Sequence, residues 1–539
     1  MPENNVQFIR TNGLGRRDTS LDHVSGLLLY SDTLPSGFTA TDRVKPIFSV
    51  QEAEDLGIVD THSDEVVATG GQVLITVPGA AADVNAITVD GVLLGLYTVI
   101  LSDAAADVAS GLVDAINALT LYHGWVATLN VATVELTPPA KMGAVPNSAT
   151  IAFTSTGTGA ATVTQASAGV GSVFAQFHYH ISEFFRLKPD GKLWVGIYAE
   201  TTYDGAEIAL MRATAGGEIR QLSIYLPDET FATSMLSSTQ SQLVTARTEK
   251  ENMFGLIHAD MSSLTLSTLP NLAALTSSKV QVIAGEDGNF LQQAYSASKS
   301  YVPGDKAKWL NKTFIANKSS VGQSPYDSEY FSEVSLNLSD IAGNSISTLG
   351  ASMGALAKAK VNESTANPER FPLRLGNILS IAGFATGDIY KDVSKALRNQ
   401  LHDYHYTYLR EFSGSTGVYF NGSYTAIASS NDYATSENNR TMDKAERNIY
   451  IALVPKLADD IDINDDGTLA QESINEYHSI IDGVLDVMKI DREIAAKQVT
   501  IDQTQNILST SELQITVDII PKGKANNIVV NNSYVVKLT

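Results

Sequence analysis

The chain has 539 residues, 44% hydrophobic and 18% charged, which excludes a disordered or collagen-like polymer and is enough for two to four domains with full cores. Lys and Arg number 37 against 59 Asp and Glu, and this balance of −22 argues against a duplex nucleic-acid partner, whose phosphates need basic surface. No cysteine is present, so disulfides, thiolate metal sites and cysteine nucleophiles are excluded, as suits folding in a reducing cytoplasm.

The opening MPENNVQFIRTNG lacks the basic-then-apolar layout of a secretory signal. Residues 1–20 read as an extended arm whose apolar positions include Val6, Phe8 and Ile9. HVSGLLLYS then predicts a strand, and VKPIFSVQEAEDLGIVD a second strand followed by a helix. Ser49 is placed to cap that helix, Glu52 lies in its first turn and Gly57 stops it. Residues 21–68 thus open an α/β domain.

Residues 69–171 change character, being poor in Lys and Arg and rich in Ala, Thr, Val and Gly. QVLITV, AITVDGVLLGLYTVIL, WVATLNVATVELT and ATIAFTS predict strands, with Asp90-Gly91 as a hairpin turn. Val108, Leu112, Ile116 and Leu119 share one face of a helix capped by Ser102 or Asp103. The longest uncharged apolar run, Val92 to Leu101, is about half a membrane span, so no insertion into a bilayer is expected. The segment reads as a mostly β inserted domain.

Strands and helices then alternate through residues 172–370, the second part of the α/β domain. SVFAQFHYHISEFFRL, DGAEIALMRATAG and a long stretch to about Met261 predict helices, and KLWVGIYAE, IRQLSIYL and KVQVIAG predict strands. In residues 371–519, YKDVSKALRNQLHDYHYTYLREF and NNRTMDKAERNIYIALVPKL predict helices around a strand pair, STGVYFNGSYTAI. A further helix begins near Gln471, with Ile474, Tyr477, Ile481, Leu485 and Met488 as its buried stripe. ELQITVDII alternates strictly, placing Leu513, Ile515, Val517 and Ile519 on one face. Residues 520–539 form a second arm, in which Ile528, Val529, Val530, Tyr534, Val535 and Val536 are suited to a strand. An unpaired apolar strand is a template for another chain.

Catalytic and metal patterns are weak. GASMG places Ser352 as in a nucleophile elbow, with His402, His405 and His478 downstream, but no buried strand precedes it and the stretch reads as an Ala-rich helix. Asp462, Asn464, Asp466 and Gly467 fit a calcium loop, yet Ser473 stands where its bidentate Glu belongs, which favours an Asp/Gly turn capping the next helix. His178 with His180, and His402 with His405, lack a third ligand nearby. VIAGEDGNF has no Lys-Ser/Thr after Gly288, so a turn is expected rather than a phosphate loop. The assignment is no catalytic, cofactor-binding or metal site.

Two stretches carry a family likeness. VSGLLLYS followed by IFSVQEAEDLGI has Ser49, Ala53, Leu56 and Gly57 in place; LREFSGSTGVYFNGSYTAIASSNDYATSENNRTMDKAERNIYIALVPKL has Gly417 to Phe420, Asp432-Tyr433 and Arg440 leading into a helix. In these the chain resembles contractile tail sheath proteins of bacteriophages and related contractile injection systems, over most of residues 20–539 outside the insertion. The resemblance implies a multidomain α/β and α+β fold: a sheath-type core of mixed sheets with helices, the outward-facing insertion and extended terminal arms. It implies a non-enzymatic virion or injection-particle protein, assembled in the bacterial cytoplasm as a helical homo-oligomer around an inner tail tube, with baseplate and tail terminator proteins as partners and genome ejection as a use. The arms would exchange strands, Ile528 to Val530 and Tyr534 to Val536 meeting Val6 to Ile9 of a neighbour. A surface-layer or adhesive protein is the competing reading, and a hydrolase using Ser352 the next.

Overall fold

The computed structural model describes residues 21–143, 145–199, 202–289, 295–309, 312–334, 346–376, 378–526, 528–530 and 534. The chain begins with β1 (Ser25–Tyr30), β2 (Val44–Ile47) and α1 (Val50–Asp55). Ser49 caps α1 as its sequence predicts: its Oγ accepts from Glu52 N at 3.2 Å, Glu52 Oε2 accepts from Phe48 N at 2.8 Å, and Gly57 follows at φ +87°. Next come β3 (Gln72–Val77), β4 (Val84–Val89), β5 (Val92–Thr98), α2 (Ala105–Ala118), α3 (Thr120–His123), β6 (Val126–Asn130), β7 (Thr133–Thr137), α4 (Val145–Ser148), β8 (Ile151–Ser155) and β9 (Ala160–Thr164). They are followed by α5 (Val173–Leu187), β10 (Leu193–Tyr198), α6 (Ala206–Thr214), β11 (Gln221–Thr230), α7 (Thr233–Thr248), β12 (Phe254–Asp260), β13 (Thr276–Ser277), β14 (Val280–Val282) and β15 (Gly285–Asp287).

One six-stranded sheet organises this part, in the order β14-β12-β11-β1-β10-β2. All neighbours are parallel except β2, which runs antiparallel to β10. Adjacent side chains of β1 enter opposite layers: Leu27 and Leu29 pack with Phe177 and Phe184 of α5, Leu28 with the layer holding Met211 of α6 and Leu236 of α7. Burial on both faces is why GLLLY reads as an unbroken apolar run. The same cause hid β12. The helix expected to reach Met261 ends at Thr248, Lys250 turns the chain at φ +66°, and Phe254–Asp260 is a central strand without alternation.

The inserted segment folds as two antiparallel sheets, β6-β7-β3-β9 and β5-β4-β8, around α2. Asp90 and Gly91 make the β4–β5 turn at φ +50° and +77°. Val108, Leu112 and Ile116 are fully buried, but Leu119 is 38% exposed at the end of α2. Neither Ser102 nor Asp103 caps that helix; Ala104 is the N-cap, and its N–H donates to Asp107 Oδ2 at 2.8 Å. The two ends of the segment meet through bridges Val66↔Val170 and Thr69↔Ser167. Its core is shared with a distant stretch: β16 (Lys306–Trp309), β17 (Lys312–Ala316) and β18 (Phe331–Val334) form a sheet whose Trp309, Phe314 and Phe331, with Tyr301 before it, join the same apolar cluster.

Beyond it lie α8 (Leu349–Lys358), β19 (Ala382–Phe384), α9 (Lys395–Asp403), β20 (Leu409–Glu411), β21 (Val418–Phe420), β22 (Ala426–Ile427), α10 (Ser436–Leu453), α11 (Gln471–Ile490), β23 (Ile494–Ile501) and β24 (Ile515–Pro521). The long helix expected from Tyr390 is shorter, because Ser394 caps α9 and His405 at φ +68° turns the aromatic stretch YHYTYL toward β20. The strands expected to pair within STGVYFNGSYTAI find other partners, β21 with β20 and β22 with β13. The architecture is mixed α/β, several sheets with helices.

Burial in this core makes stability pH-dependent. Desolvation pushes the His180 imidazole down to about 3 and that of His258 to about 4, and pushes the Asp287 carboxyl up to about 6. Between pH 6 and 4 the unfolded chain binds two histidine protons that the folded chain refuses, while the folded chain keeps one carboxyl proton that the unfolded chain releases. From these three groups the net difference of one proton contributes about 1.4 kcal/mol of destabilisation per pH unit on acidification. Thermal unfolding at pH 6.5, 5.5 and 4.5 should show Tm falling stepwise; a Tm that rises toward pH 4.5 would refute this assignment of buried groups.

Candidate assembly surface

Helix α10 is the hub of the C-terminal region. Its residues lie beside the amino ends of the parallel strands: Asp443 takes Lys279 Nζ at 2.7 Å just before β14, and Glu446 takes Asn252 Nδ2 at 2.6 Å just before β12. Lys444 and Arg447 hold Asp22, just before β1, at 2.7 and 3.2 Å. The neighbouring cations keep the Asp22 carboxyl below its usual range against the opposing effect of burial. Arg440 is buried and donates to Leu356 O at 2.9 Å and Ala359 O at 3.3 Å, satisfying carbonyls at the end of α8. At the opposite, carboxyl ends, where α/β sheets bind ligands, tyrosines fill the space. Tyr30 donates to Glu207 at 3.1 Å, and Tyr203 bonds Thr239 at 2.7 Å.

On the other side of α10 lies the hairpin β23–β24. It packs Ile494 and Val499 with Ile481, Leu485 and Met488 of α11, and Ile515, Val517 and Ile519 half-buried against them. Among the described residues these two strands pair only with each other. Each therefore keeps one outer edge for an added strand. A groove of about 520 Å³, lined by Val244, Met442, Tyr450, Val517 and Ile519 among others, runs beside β24.

Four of the C-terminal residues expected to exchange strands are exposed: Ile528, Val529, Val530 and Tyr534 are 80%, 82%, 70% and 108% exposed and belong to no strand among the described residues. Val6, Phe8, Ile9, Val535 and Val536 lie outside the described residues. Sequence reasoning missed β23, and missed the ion pair between Lys524 and Glu437 at 3.1 Å. Lys522 and Lys524, flanking Gly523 at the root of the arm, were its only local signal.

The residues weighed for chemistry have structural settings. Ser352 lies mid-helix in α8, 4% exposed, its Oγ without a hydrogen-bond partner. No strand-to-helix elbow surrounds it. Gly350 and Gly354 let α8 approach α5: a Cβ on Gly350 would lie 2.6 Å from His180 Cα, and one on Gly354 3.0 Å from Phe184 Cα. Gly350→Ala should therefore destabilise by about 1–3 kcal/mol. Ser352→Ala, which removes an unpaired buried hydroxyl from a helix, should leave Tm unchanged or raised. Loss of an esterase activity in Ser352→Ala would reverse this reading.

In the Asp462–Ser473 loop, Asp466 Oδ1 accepts from Thr468 N and Oγ1 at 3.0 and 2.6 Å, and Asn464 Nδ2 donates to Leu469 O at 3.1 Å. The loop does not cap α11 with a side chain, contrary to expectation; the N-cap is Ala470, and Ser473 Oγ instead accepts from Asp462 N. His178 pairs with Glu54 at 3.0 Å, and His402 and His405 pack on the Tyr424 ring. Among the described residues no group of three or more acidic or His side chains is placed to hold a metal ion, and no helix is long and apolar enough to cross a membrane.

A family model described as DUF2586, C-terminal domain, matches residues 432–539, which hold α10, α11, the hairpin and the arm. No curated protein matches the chain. Among solved structures it is similar to the contracted helical sheath of the anti-feeding prophage, with 17% identity, 66% of this chain and 81% of that one covered, and a TM-score of 0.41. It is similar to the contracted PVC sheath complex of an extracellular contractile injection system, with 13% identity, 67% and 81% covered, and a TM-score of 0.41. A sheath tail protein from Listeria innocua is similar over 94% of this chain and 96% of its own, with 9% identity and a TM-score of 0.36.

Proposed function

We propose that the chain is the structural subunit of a contractile tail sheath, on a phage tail or an injection particle. It polymerises around an inner tube and shortens to drive that tube through a target envelope. The observation that carries this reading is the arm: four apolar side chains held 70–108% exposed, beside a hairpin whose strands pair only with each other among the described residues. Such a segment gains its ladder by strand addition to a second copy, with Val6, Phe8 and Ile9 of one subunit and Ile528, Val529, Val530, Tyr534, Val535 and Val536 of another as the exchanging residues. A head-to-tail contact of this kind need not close, so it propagates as a helix.

The work is mechanical and needs no bond chemistry. A gain of about 500 Å² of apolar contact per subunit, at roughly 25 cal/mol/Å², is on the order of 10 kcal/mol before ordering costs. Inner tube, baseplate and tail terminator proteins are the partners this role requires, in a particle assembled in the bacterial cytoplasm. Electron microscopy of the purified full chain tests it: hollow striated tubes are expected, and a protein that stays monomeric at high concentration, or forms flat lattices instead, sinks the proposal.

A further inference from the structure

We infer that Glu437 anchors the root of the C-terminal arm to its own subunit, so that the residues after Lys524 are the part free to join another copy. This rests on the strand-addition reading above and adds a positioning residue to it. Glu437 lies in the first turn of α10 and is 3% exposed. One carboxylate oxygen, Oε2, accepts from Ser423 Oγ at 2.6 Å and Ser436 Oγ at 3.2 Å; the other, Oε1, faces Lys524 Nζ at 3.1 Å. Cations favour a carboxylate this deep: Arg440, one turn along α10, acts on it through space, and Lys524 of the arm is the cation in direct contact. Lys522, Lys524 and Ile528 line a groove of about 800 Å³ whose other walls include Asn367, Arg370 and Tyr424.

An ion pair at the root of an arm could hide the arm or aim it. Hiding would bury its apolar side chains against the body. Ile528, Val529 and Val530 are instead 70–82% exposed, within a few residues of the pair. Among the described residues of the arm no apolar side chain has to be released before assembly, so the pair restricts the volume the arm searches and raises its effective concentration at the neighbour.

The test uses the full chain. Lys524→Met keeps the length of the side chain and removes its charge, and the two hydroxyls and the helix N-terminus still stabilise Glu437, so the fold survives. With nitroxides placed by Asn475→Cys and Asn526→Cys in the otherwise cysteine-free chain, the distance distribution between α11 and the arm root of the unassembled protein should broaden about twofold in Lys524→Met, and the critical concentration for tubes should rise about tenfold, while Lys524→Arg keeps the parent's values on both. An unchanged distribution in Lys524→Met overturns the anchor, and a lowered critical concentration overturns aiming in favour of hiding. If the parent chain forms no tubes, the sheath reading fails, and the distance distribution still decides whether Glu437 holds the arm.

Discussion

Removing residues 69–171 behind a short Gly/Ser linker should leave an insoluble chain, whereas removing residues 290–345 as well should restore a soluble one. The reason is a core assembled from two distant segments. Tyr295, Tyr301, Trp309, Phe314 and Phe331 are each at most 5% exposed, and they are buried in the cluster that also holds Ile87, Leu112, Trp125 and Val134 of the inserted segment. The Cβ position above Gly91 lies 3.6 Å from Ala297 Cβ, so the two pieces also touch at the β4–β5 turn. Deleting one piece strips five aromatic side chains of their cover at about 1.5–3 kcal/mol each, on the order of the whole stability of a domain. The remaining three-stranded sheet is left with its aromatic face open to water and no second layer to cover it. Both excursions leave from joined points: Val66 bridges Val170, while Glu286 bridges Ser347 and Asp287 N donates to Ile346 O at 3.0 Å. The doubly deleted chain therefore closes without strain. Sedimentation and circular dichroism of both variants check this. A soluble, folded single deletion would show that the 295–334 sheet stands without the insertion.

This partnership was not legible in the sequence, and the reason is general to the molecule. Local pattern carried α1, α5, α10 and α11, because caps and apolar stripes are written within one element: Ser49 before Glu52, Ser172 accepting from Ala175 N, and Tyr477, Ile481, Leu485 and Met488 on one face. It failed where the deciding contact is remote. The segment FGLIHAD is a strand because β11 and β14 flank it, and nothing within it alternates. Trp309 and Trp125 read as isolated aromatics until the fold brings their segments into one core. The candidate surface divides the same way. The apolar arm was legible from Ile528 to Tyr534, but its root was not, because Glu437 gives no sign in α10 that it awaits Lys524.

The same division predicts what truncation does. Ending the chain after Pro521 should give a monomer that unfolds within about 2 °C of the parent and forms no tubes. Pro521 is the last residue of β24, so the hairpin stays whole, and Ile515, Val517 and Ile519 keep their places against Ile481 and Leu485. The described residues that are removed contribute little to the subunit itself. Ile528, Val529, Val530 and Tyr534 bury almost nothing, and Glu437 keeps Ser423 and Ser436 as donors after Lys524 is gone. Substitutions at such exposed positions usually change stability by less than about 0.5 kcal/mol. Assembly should respond in the opposite way, since a strand that is absent cannot extend a neighbour's sheet, and Val535→Pro, which deletes one ladder donor, should weaken tubes in the intact chain. Ending the chain after Gln514 is the contrast: it takes β24 from the cluster it shares with α10 and α11, and should lower Tm sharply. Light scattering and thermal unfolding of the three chains separate the cases. If the chain ending at Pro521 melts like the one ending at Gln514, the arm belongs to its own core; if it still polymerises, the joint between subunits lies elsewhere.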